Sequence, residues 1–386
     1  MPRIRELGIY EGTLLPGPRN AITDVGGVRV GHFTLNEGEG VADPHWRPGN
    51  GPFRTGVTII LPHDGNLYDE KVCAAVHTIN GFGKPTGFEQ VRELGTLETP
   101  IALTGTMNVP RVADALMTLA AEEAPHIGVG FPERGWAGYA SVNPVVGETS
   151  DGYLSDLQAR PIGLAEVRAA LAAASVDVAE GAVGAGAGTS CYGWKGGIGT
   201  ASRVLPEEAG GYTVGALVQT NFGRAEELTI CGVPVGQHLR PPATKRDSDP
   251  AATQPRDSAV DLGGSIMIIL ATDAPLDARG LERLGRRAAF GLARTGSTCH
   301  GGSGDFVIAF STAHRIPDRP ISPTSSRPVI DEQPLMSRFA VAVIESVEEA
   351  IYNSLLMAHT VVGRNGNTRY GLPAGEVARI VRQCRP

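Results

Sequence analysis

A serine behind two glycines, at the start of an apolar run, is the clearest chemical feature of the sequence. Ser265 follows Gly263 and Gly264 and leads into Ile266–Ala271, a run apolar enough to predict a buried strand. Residues 240–262 before it are rich in Pro, Asp, Ser, Thr, Lys and Arg, which predicts a flexible tether. A tether that enters a core strand through two glycines favours cleavage of the chain between Gly264 and Ser265. The alternative is a serine that only satisfies the first amides of a strand.

Cleavage at that bond would create an N-terminal nucleophile. Attack of the Ser265 hydroxyl on the preceding carbonyl gives an ester that water hydrolyses, and a small residue such as Gly264 permits the bent geometry. The product serine carries a free α-amine, whose pKa is near 7.7–8.0, whereas that of a lysine side chain is near 10.4. Such an amine is an effective base at neutral pH, so the nucleophile and its base share one residue.

Other arrangements for catalysis or cofactor binding have weaker support. A Ser-His-Asp triad on a GxSxG turn does not fit, because Ser265 starts a strand and the flanks of Ser303 break the pattern. The HExxH and CxxC motifs are absent and Cys299-His300 is an isolated pair, so we expect neither a metal nor an organic cofactor. The glycine tract Gly181–Ser190 fits neither dinucleotide nor phosphate-binding motifs, which favours close backbone packing. A non-catalytic nucleotide-binding module stays an alternative.

Composition limits the partners and the surroundings of the protein. The net charge is −7 and no stretch interleaves basic with aromatic residues, which argues against nucleic acid as a partner. No window reaches the roughly 18 apolar residues of a membrane span, and the N-terminal residues lack the apolar segment of a signal peptide. We therefore expect a cytoplasmic protein that binds neither nucleic acid nor membrane.

The order of the elements indicates one α/β domain over residues 1–386. Strands and helices come in mixed order, often as pairs of strands, which favours a layered sandwich over a strict βαβ alternation. Asp277 is predicted to cap a helix that buries Leu281 and Leu284. Residues 20–32 alternate apolar and polar side chains around Gly26-Gly27, as a β-hairpin does.

The sequence resembles the P1 peptidase family, which contains L-aminopeptidase/D-alanine esterase-amidases and β-peptidyl aminopeptidases. The resemblance runs over nearly the whole chain and rests on motifs in a shared order. These motifs are Asn20–Val25, Arg54–Thr58, Asn80–Lys84, Val146–Thr149, Asp151–Asp156, Lys195–Arg203, Val218–Gly223, Gly264–Ser265, Ala271–Leu276 and Gly302–Asp305. The resemblance implies a four-layer αββα sandwich that is similar to N-terminal-nucleophile hydrolases but differently connected. It also implies self-cleavage into a larger chain, 1–264, and a smaller chain, 265–386.

The resemblance further implies roles for individual residues. Ser265 attacks the acyl carbon of the substrate, and Asn221 donates its side-chain amide to the oxyanion. Ser303 and Asp305 match a serine and an acid that support the nucleophile, although many members of the family have Glu at the position of Asp305. Glu148 matches the carboxylate that binds the free amino group of the substrate.

Further expectations follow from the same resemblance. Tyr153 is the nearest candidate for a tyrosine that assists in some members, and Gly105 departs from a common Asn. We expect an aminopeptidase or amidase that acts on short peptides, amides or esters and assembles as a homotetramer of processed pairs. L-, D- and β-amino residues all remain candidate substrates. The nearest rival is an acyltransferase of the ornithine acetyltransferase type, which uses threonine at the position of Ser265.

Overall fold

The computed structural model describes residues 1–40, 45, 47–129, 140–243, 264–318, 330 and 335–385. The predicted tether 240–262 lies outside these residues from position 244 onward, as does Gly263. The strands are β1 (Arg29–Glu37), β2 (Phe53–Leu61), β3 (Glu70–Gly81), β4 (Thr96–Leu97), β5 (Ile101–Gly105), β6 (Val145–Thr149), β7 (Ser190–Cys191), β8 (Trp194–Lys195), β9 (Ile198–Val204), β10 (Thr213–Asn221), β11 (Gly264–Thr272), β12 (Ser303–Pro317), β13 (Val361–Val362) and β14 (Thr368–Arg369). The α-helices are α1 (Phe88–Leu94), α2 (Val109–Glu123), α3 (Leu164–Ala172), α4 (Ala278–Arg294), α5 (Leu335–Leu356) and α6 (Ala374–Cys384).

Two sheets lie face to face at the centre of the fold. The larger sheet has the order β4-β3-β12-β11-β10-β9, and the smaller has the order β1-β2-β5-β6. The pairs β11–β12 and β5–β6 are parallel, whereas the other neighbours in these two sheets are antiparallel. Leu103 and Val145 of the smaller sheet pack against Met267, Ile269 and residues around them in the larger one. This layer of side chains joins the two sheets.

Strand β11 is buried on both of its faces. Met267 and Ile269 contact the layer between the sheets, while Ile266 and Ile268 face the core beneath the helices. A strand covered on both faces has no solvated positions, which explains its uninterrupted apolar sequence. The prediction of a buried strand after Ser265 is confirmed.

Helices cover the outer face of each sheet and complete four layers. Helices α4 and α5 pack on the larger sheet, and α2 and α3 pack on the smaller one. The Asp277 side chain caps α4 by accepting a hydrogen bond from the amide of Gly280 at 2.7 Å, and Leu281 and Leu284 are buried, as predicted. The layers form the expected αββα sandwich. None of the helices in the described ranges is long and apolar enough to cross a membrane.

The predicted hairpin around Gly26-Gly27 is wrong. Residues Ile22–Asp24 form a turn of 3₁₀-helix, because the Asp24 carboxylate accepts the amides of Arg19 and Ala21 and holds the chain in a local turn. Strand β1 begins only at Arg29, and it pairs with β2 rather than with the segment before the glycines.

The glycine tract packs backbone against backbone, as its sequence favoured. A Cβ atom on Gly197 would lie 1.9 Å from the carbonyl oxygen of Gly181, and one on Gly186 would lie 2.6 Å from the Cα of Gly197. No side chain fits at these contacts. The tract thereby brings the loop at 184–188 close to the end of β10.

Candidate active site

Ser265 lies near the start of the central strand, where the ends of three strands meet. It is opposite Asn221 at the end of β10 and opposite Gly304 at the start of β12. Its side chain is largely buried, at 5% exposure, and shares a strand face with Met267, which packs in the layer between the sheets. The register therefore brings Ser265 and Asn221, which are far apart in sequence, into direct opposition.

The amide of Asn221 is held in one orientation by a backbone contact. Its Oδ1 atom accepts a hydrogen bond from the amide of Ser190 at 3.0 Å. Because the oxygen of the amide is engaged by Ser190, Nδ2 is the end of the Asn221 side chain left to donate, on a residue that is opposite Ser265 in strand register. An amide donor beside a serine hydroxyl is suited to stabilise negative charge on an acyl oxygen.

Ser303 and Asp305 lie along the backbone that flanks Ser265. Ser303 is opposite Gly264 and Asp305 is opposite Ile266, across the parallel pair β11–β12. The Ser303 hydroxyl donates to Asp305 Oδ1 at 2.7 Å, and both side chains are buried. Burial raises the pKa of Asp305, and hydrogen bonds from the Ser303 hydroxyl, the Cys299 thiol and the Ile266 amide partly offset this effect. The pair places a hydroxyl and a carboxyl beside the Gly264–Ser265 peptide.

Asn80 supports this pair from the neighbouring strand β3. Its side-chain amide donates to the carbonyl oxygens of His300 at 3.0 Å and of Gly301 at 3.2 Å, and it also donates to that of Ser303. These contacts hold the turn that delivers Ser303. In the sequence, Asn80 was marked only as part of the motif Asn80–Lys84, and its role in holding this turn was not predicted.

Glu148 is a buried carboxylate at the end of β6, with 5% exposure. Its Oε1 atom accepts the backbone amide of Lys84 at 3.1 Å, and the Lys84 ammonium lies 3.7 Å from the same oxygen. The preceding residue, Gly147, packs against Met267, where an added Cβ would lie 2.5 Å from the methionine Cε. Glu148 is therefore the residue next to the contact between β6 and β11, and β11 is the strand that carries Ser265.

A second buried pair of charged groups lies behind Glu148. Burial raises the pKa of Asp151 to about 6, while a hydrogen bond from Thr55 opposes the shift. Burial likewise lowers the pKa of Lys195 to about 7, and its ammonium donates to the carbonyl oxygens of Gly186 at 2.8 Å and Gly196 at 2.7 Å. These contacts fix the glycine tract behind the site, a role that the sequence analysis missed.

Tyr153 contacts a side chain from the C-terminal part of the chain. The guanidinium of Arg369 lies over its ring, with Cζ 3.6 Å from the ring centroid. Arg369 Nε in turn donates to the hydroxyl of Ser190 at 2.9 Å. Tyr153 is thus linked through Arg369 and Ser190 to Asn221, and its role in binding substrate stays a prediction.

Potential metal ligands are not clustered in the described part of the chain. No group of three or more His, Cys, Asp and Glu side chains within those residues could hold a metal ion. The chemical groups of the site are instead a serine hydroxyl, an amide donor, a buried serine–aspartate pair and a buried carboxylate.

Comparisons with known proteins identify the family of the chain. The sequence model of peptidase family S58 matches residues 20–369. The chain is 40% identical to the beta-peptidyl aminopeptidase BapA of Sphingosinicella xenopeptidilytica, and the alignment covers 100% of this chain and 92% of that protein.

Two solved structures are similar along their whole length. One is a beta-aminopeptidase of Burkholderia sp., with 41% identity, a TM-score of 0.85 and coverage of 100% of both chains. The other is the L-aminopeptidase D-Ala-esterase/amidase of Ochrobactrum anthropi, with 36% identity, a TM-score of 0.83 and coverage of 99% of both chains. It is described as a prototype for the serine aminopeptidases and as a new variant among the Ntn hydrolase fold. These matches support neither an acyltransferase nor a nucleotide-binding module.

Proposed function

The chain belongs to peptidase family S58 and is an aminopeptidase or amidase, and we propose that its nucleophile is Ser265, released as an N-terminus by self-cleavage. The observation that carries this proposal is the position of Ser265, opposite Asn221 and beside the Ser303–Asp305 pair. Its substrates are peptides or amides with a free amino group. The product chains are 1–264 and 265–386, which stay together in one αββα domain.

Self-cleavage begins with attack of the Ser265 hydroxyl on the carbonyl carbon of Gly264. The new C–O bond forms as the C–N bond breaks, and the freed α-amine takes up the proton. Water then hydrolyses the ester, which leaves a carboxylate on Gly264 and restores the hydroxyl. A Cβ on Gly264 would lie 3.2 Å from Ser303 Oγ and 3.2 Å from the Cβ of Phe222, so a larger residue would crowd the scissile peptide.

Hydrolysis of substrate uses the same groups. The Ser265 hydroxyl attacks the acyl carbon and passes its proton to the α-amine, while the Asn221 amide donates to the developing oxyanion. The proton moves on to the leaving amine, which departs and leaves an acyl ester on Ser265. Water then attacks this ester with the α-amine as base. In this proposal the Ser303–Asp305 pair hydrogen-bonds the α-amine and holds it in place, which the register of Ser303 opposite Gly264 and of Asp305 opposite Ile266 supports.

Glu148 restricts the reaction to substrates with a free amino group. A buried carboxylate that lacks a matched counter-charge is costly, so an incoming ammonium gains a strong charge-assisted contact there. Lys84 offsets the charge of this carboxylate only in part, since its ammonium is 3.7 Å from Oε1 and the lysine side chain is 59% exposed to solvent. Binding of the amino terminus at Glu148 sets which carbonyl reaches Ser265, which favours removal of terminal residues over internal cleavage.

The processed pairs assemble into a homo-oligomer, which the resemblance makes a tetramer. Among the described residues, Leu15, Phe82 and Phe290 are large apolar side chains that are exposed, and each is a candidate position for the interface between copies. Light scattering coupled to size-exclusion chromatography should give the mass of four copies, and a monomer mass at micromolar concentration would contradict assembly.

Substitution of Ser265 tests the proposed nucleophile. The Ser265→Ala variant should fold, stay as one uncut chain and hydrolyse neither amides nor esters. The control is Ser175→Ala, which removes a serine hydroxyl outside the site and should be processed and active. Amide hydrolysis by uncut Ser265→Ala protein at a rate near that of the natural chain would exclude Ser265.

A further inference from the structure

A short hairpin near the C-terminus contacts two segments of the proposed larger chain, the loop that carries Tyr153 and the β7–β8 turn. The hairpin consists of β13 and β14 and the turn between them. Arg364 donates its backbone amide to the carbonyl of Leu154 at 2.8 Å, and the Asn367 side chain donates to that of Tyr153 at 2.8 Å. On the other side, the carbonyl of Tyr370 accepts the amide of Lys195 at 2.7 Å. The hairpin therefore holds the Tyr153 loop and the β7–β8 turn in fixed relation.

Arg369 is the side chain of this hairpin that extends between the two loops. Its guanidinium lies over the Tyr153 ring at 3.6 Å, and its Nε atom donates to the Ser190 hydroxyl at 2.9 Å. The same Ser190 donates its backbone amide to Asn221 Oδ1 at 3.0 Å. A continuous series of contacts thus runs from Tyr153 through Arg369 and Ser190 to Asn221.

We propose that Arg369 is a positioning residue for the oxyanion donor Asn221. The proposal rests on the role of Asn221 in the proposed function. Rotation about the last torsion of an asparagine side chain is only weakly restricted, so its orientation depends on its partners. Arg369 fixes the hydroxyl of Ser190 and thereby the position of the Ser190 amide that holds Asn221.

The energetic reason is preorganisation. A donor stabilises an oxyanion best when it already lies 2.7–3.1 Å from the place where the charge develops, and a looser support costs rate without removing the donor. An arginine suits this support because its planar group stacks on an aromatic ring while its N–H groups donate in fixed directions. Arg369 also belongs to the smaller chain, whereas Ser190 and Asn221 belong to the larger chain. The smaller chain would then supply a support for the oxyanion site as well as the nucleophile.

Arg369→Met tests this role, because methionine keeps an apolar stem against Tyr153 and removes the donor to Ser190. We expect kcat on an alanine p-nitroanilide to fall about tenfold in the processed protein, with KM changed less than twofold. Arg369→Lys, which retains a cation and a donor, should recover part of the lost kcat. The matched control is Arg379→Met, which removes an arginine from an exposed ion pair with Glu376 on α6.

A double-mutant cycle separates positioning of Asn221 from general destabilisation. In the Asn221→Ala background, Arg369→Met should change kcat less than twofold, because the donor that it positions is gone. An equal fold-loss in both backgrounds, or an unchanged kcat in Arg369→Met alone, would overturn the proposal. Should Asn221→Ala itself leave kcat unchanged, the oxyanion assignment fails and this proposal fails with it. By contrast, if the effects of the two substitutions on kcat are additive, only the role proposed for Arg369 is refuted, and the oxyanion assignment of Asn221 stands.

Discussion

Replacement of Asn221 by aspartate separates its catalytic role from its structural one. In the structure, Oδ1 of Asn221 accepts the Ser190 amide, and Asn221 is opposite Ser265 in strand register, so Nδ2 is the end of the side chain left to donate. Asn221→Asp keeps the size of the side chain and keeps an oxygen for Ser190. It replaces the donor by a second oxygen that carries negative charge. Asn221→Ala removes both ends of the amide.

The expected losses follow from the donor that disappears. Loss of one oxyanion donor costs about 10²–10³ in kcat, or about 2.7–4 kcal/mol. Asn221→Ala should therefore lie in this range. Asn221→Asp should lose at least as much, since a carboxylate about 4 Å from an oxyanion adds repulsion on the order of 4 kcal/mol at an effective dielectric constant of about 20. KM should change little in either variant, because the donor acts mainly on the transition state.

Steady-state kinetics at pH 8 on an alanine p-nitroanilide measure both parameters on the processed fraction of each variant. Thermal unfolding serves as the control for folding, and Asn221→Asp should match the natural protein more closely than Asn221→Ala does. An Asn221→Asp variant with more than about a third of the natural kcat would refute the oxyanion assignment, whatever the result for alanine.

Two other predictions concern the charged groups around the site and the core. Glu148→Gln should raise KM for substrates with a free amine about tenfold to a hundredfold, since a contact with a charged group contributes about 1.5–3 kcal/mol. An unchanged KM in Glu148→Gln would contradict the amine site. Lys84→Met should instead lower KM by up to about fivefold at low salt. Burial raises the pKa of Glu180 from 4.5 to about 7, although Arg3 opposes the shift. Between these two pH values the folded state holds a proton that the unfolded state has lost. The free energy of unfolding should therefore fall as pH rises through this window. Between pH 4.5 and 7.5, Glu180→Gln in the uncut Ser265→Ala background should reduce this fall in the free energy of unfolding by about 3 kcal/mol, as measured by urea unfolding. Identical pH profiles with and without Glu180→Gln would contradict this prediction.

Local features of the fold could be predicted from the sequence because their causes are local. The strand after Ser265 is apolar throughout since both of its faces are buried, and the α4 helix begins at a side chain that caps it. The predicted hairpin at residues 20–32 failed because Asp24 binds amides on its N-terminal side and forms a turn before the glycines are reached. Alternation of side chains alone does not reveal that competing contact.

The site depends on strand register, which the sequence does not display. Ser265 and Asn221 are opposite each other across an antiparallel pair, and Ser303 is opposite Gly264 across a parallel one. The residues of the family resemblance could be named from motifs. Ser190 and Arg369 could not, since they are 179 positions apart and neither residue type signals a function by itself. Their contact exists only because the C-terminal hairpin returns to the turn before β9.

Mass spectrometry of the fully active protein under denaturing conditions tests the central claim most directly. The account predicts two chains and no intact chain, the smaller one beginning at Ser265 with a free α-amine and the larger one ending at Gly264. Ser265→Ala protein, treated in the same way, should give only the 386-residue chain. A fully active sample that consists of the intact chain, or a smaller chain that begins at another residue, would contradict the account.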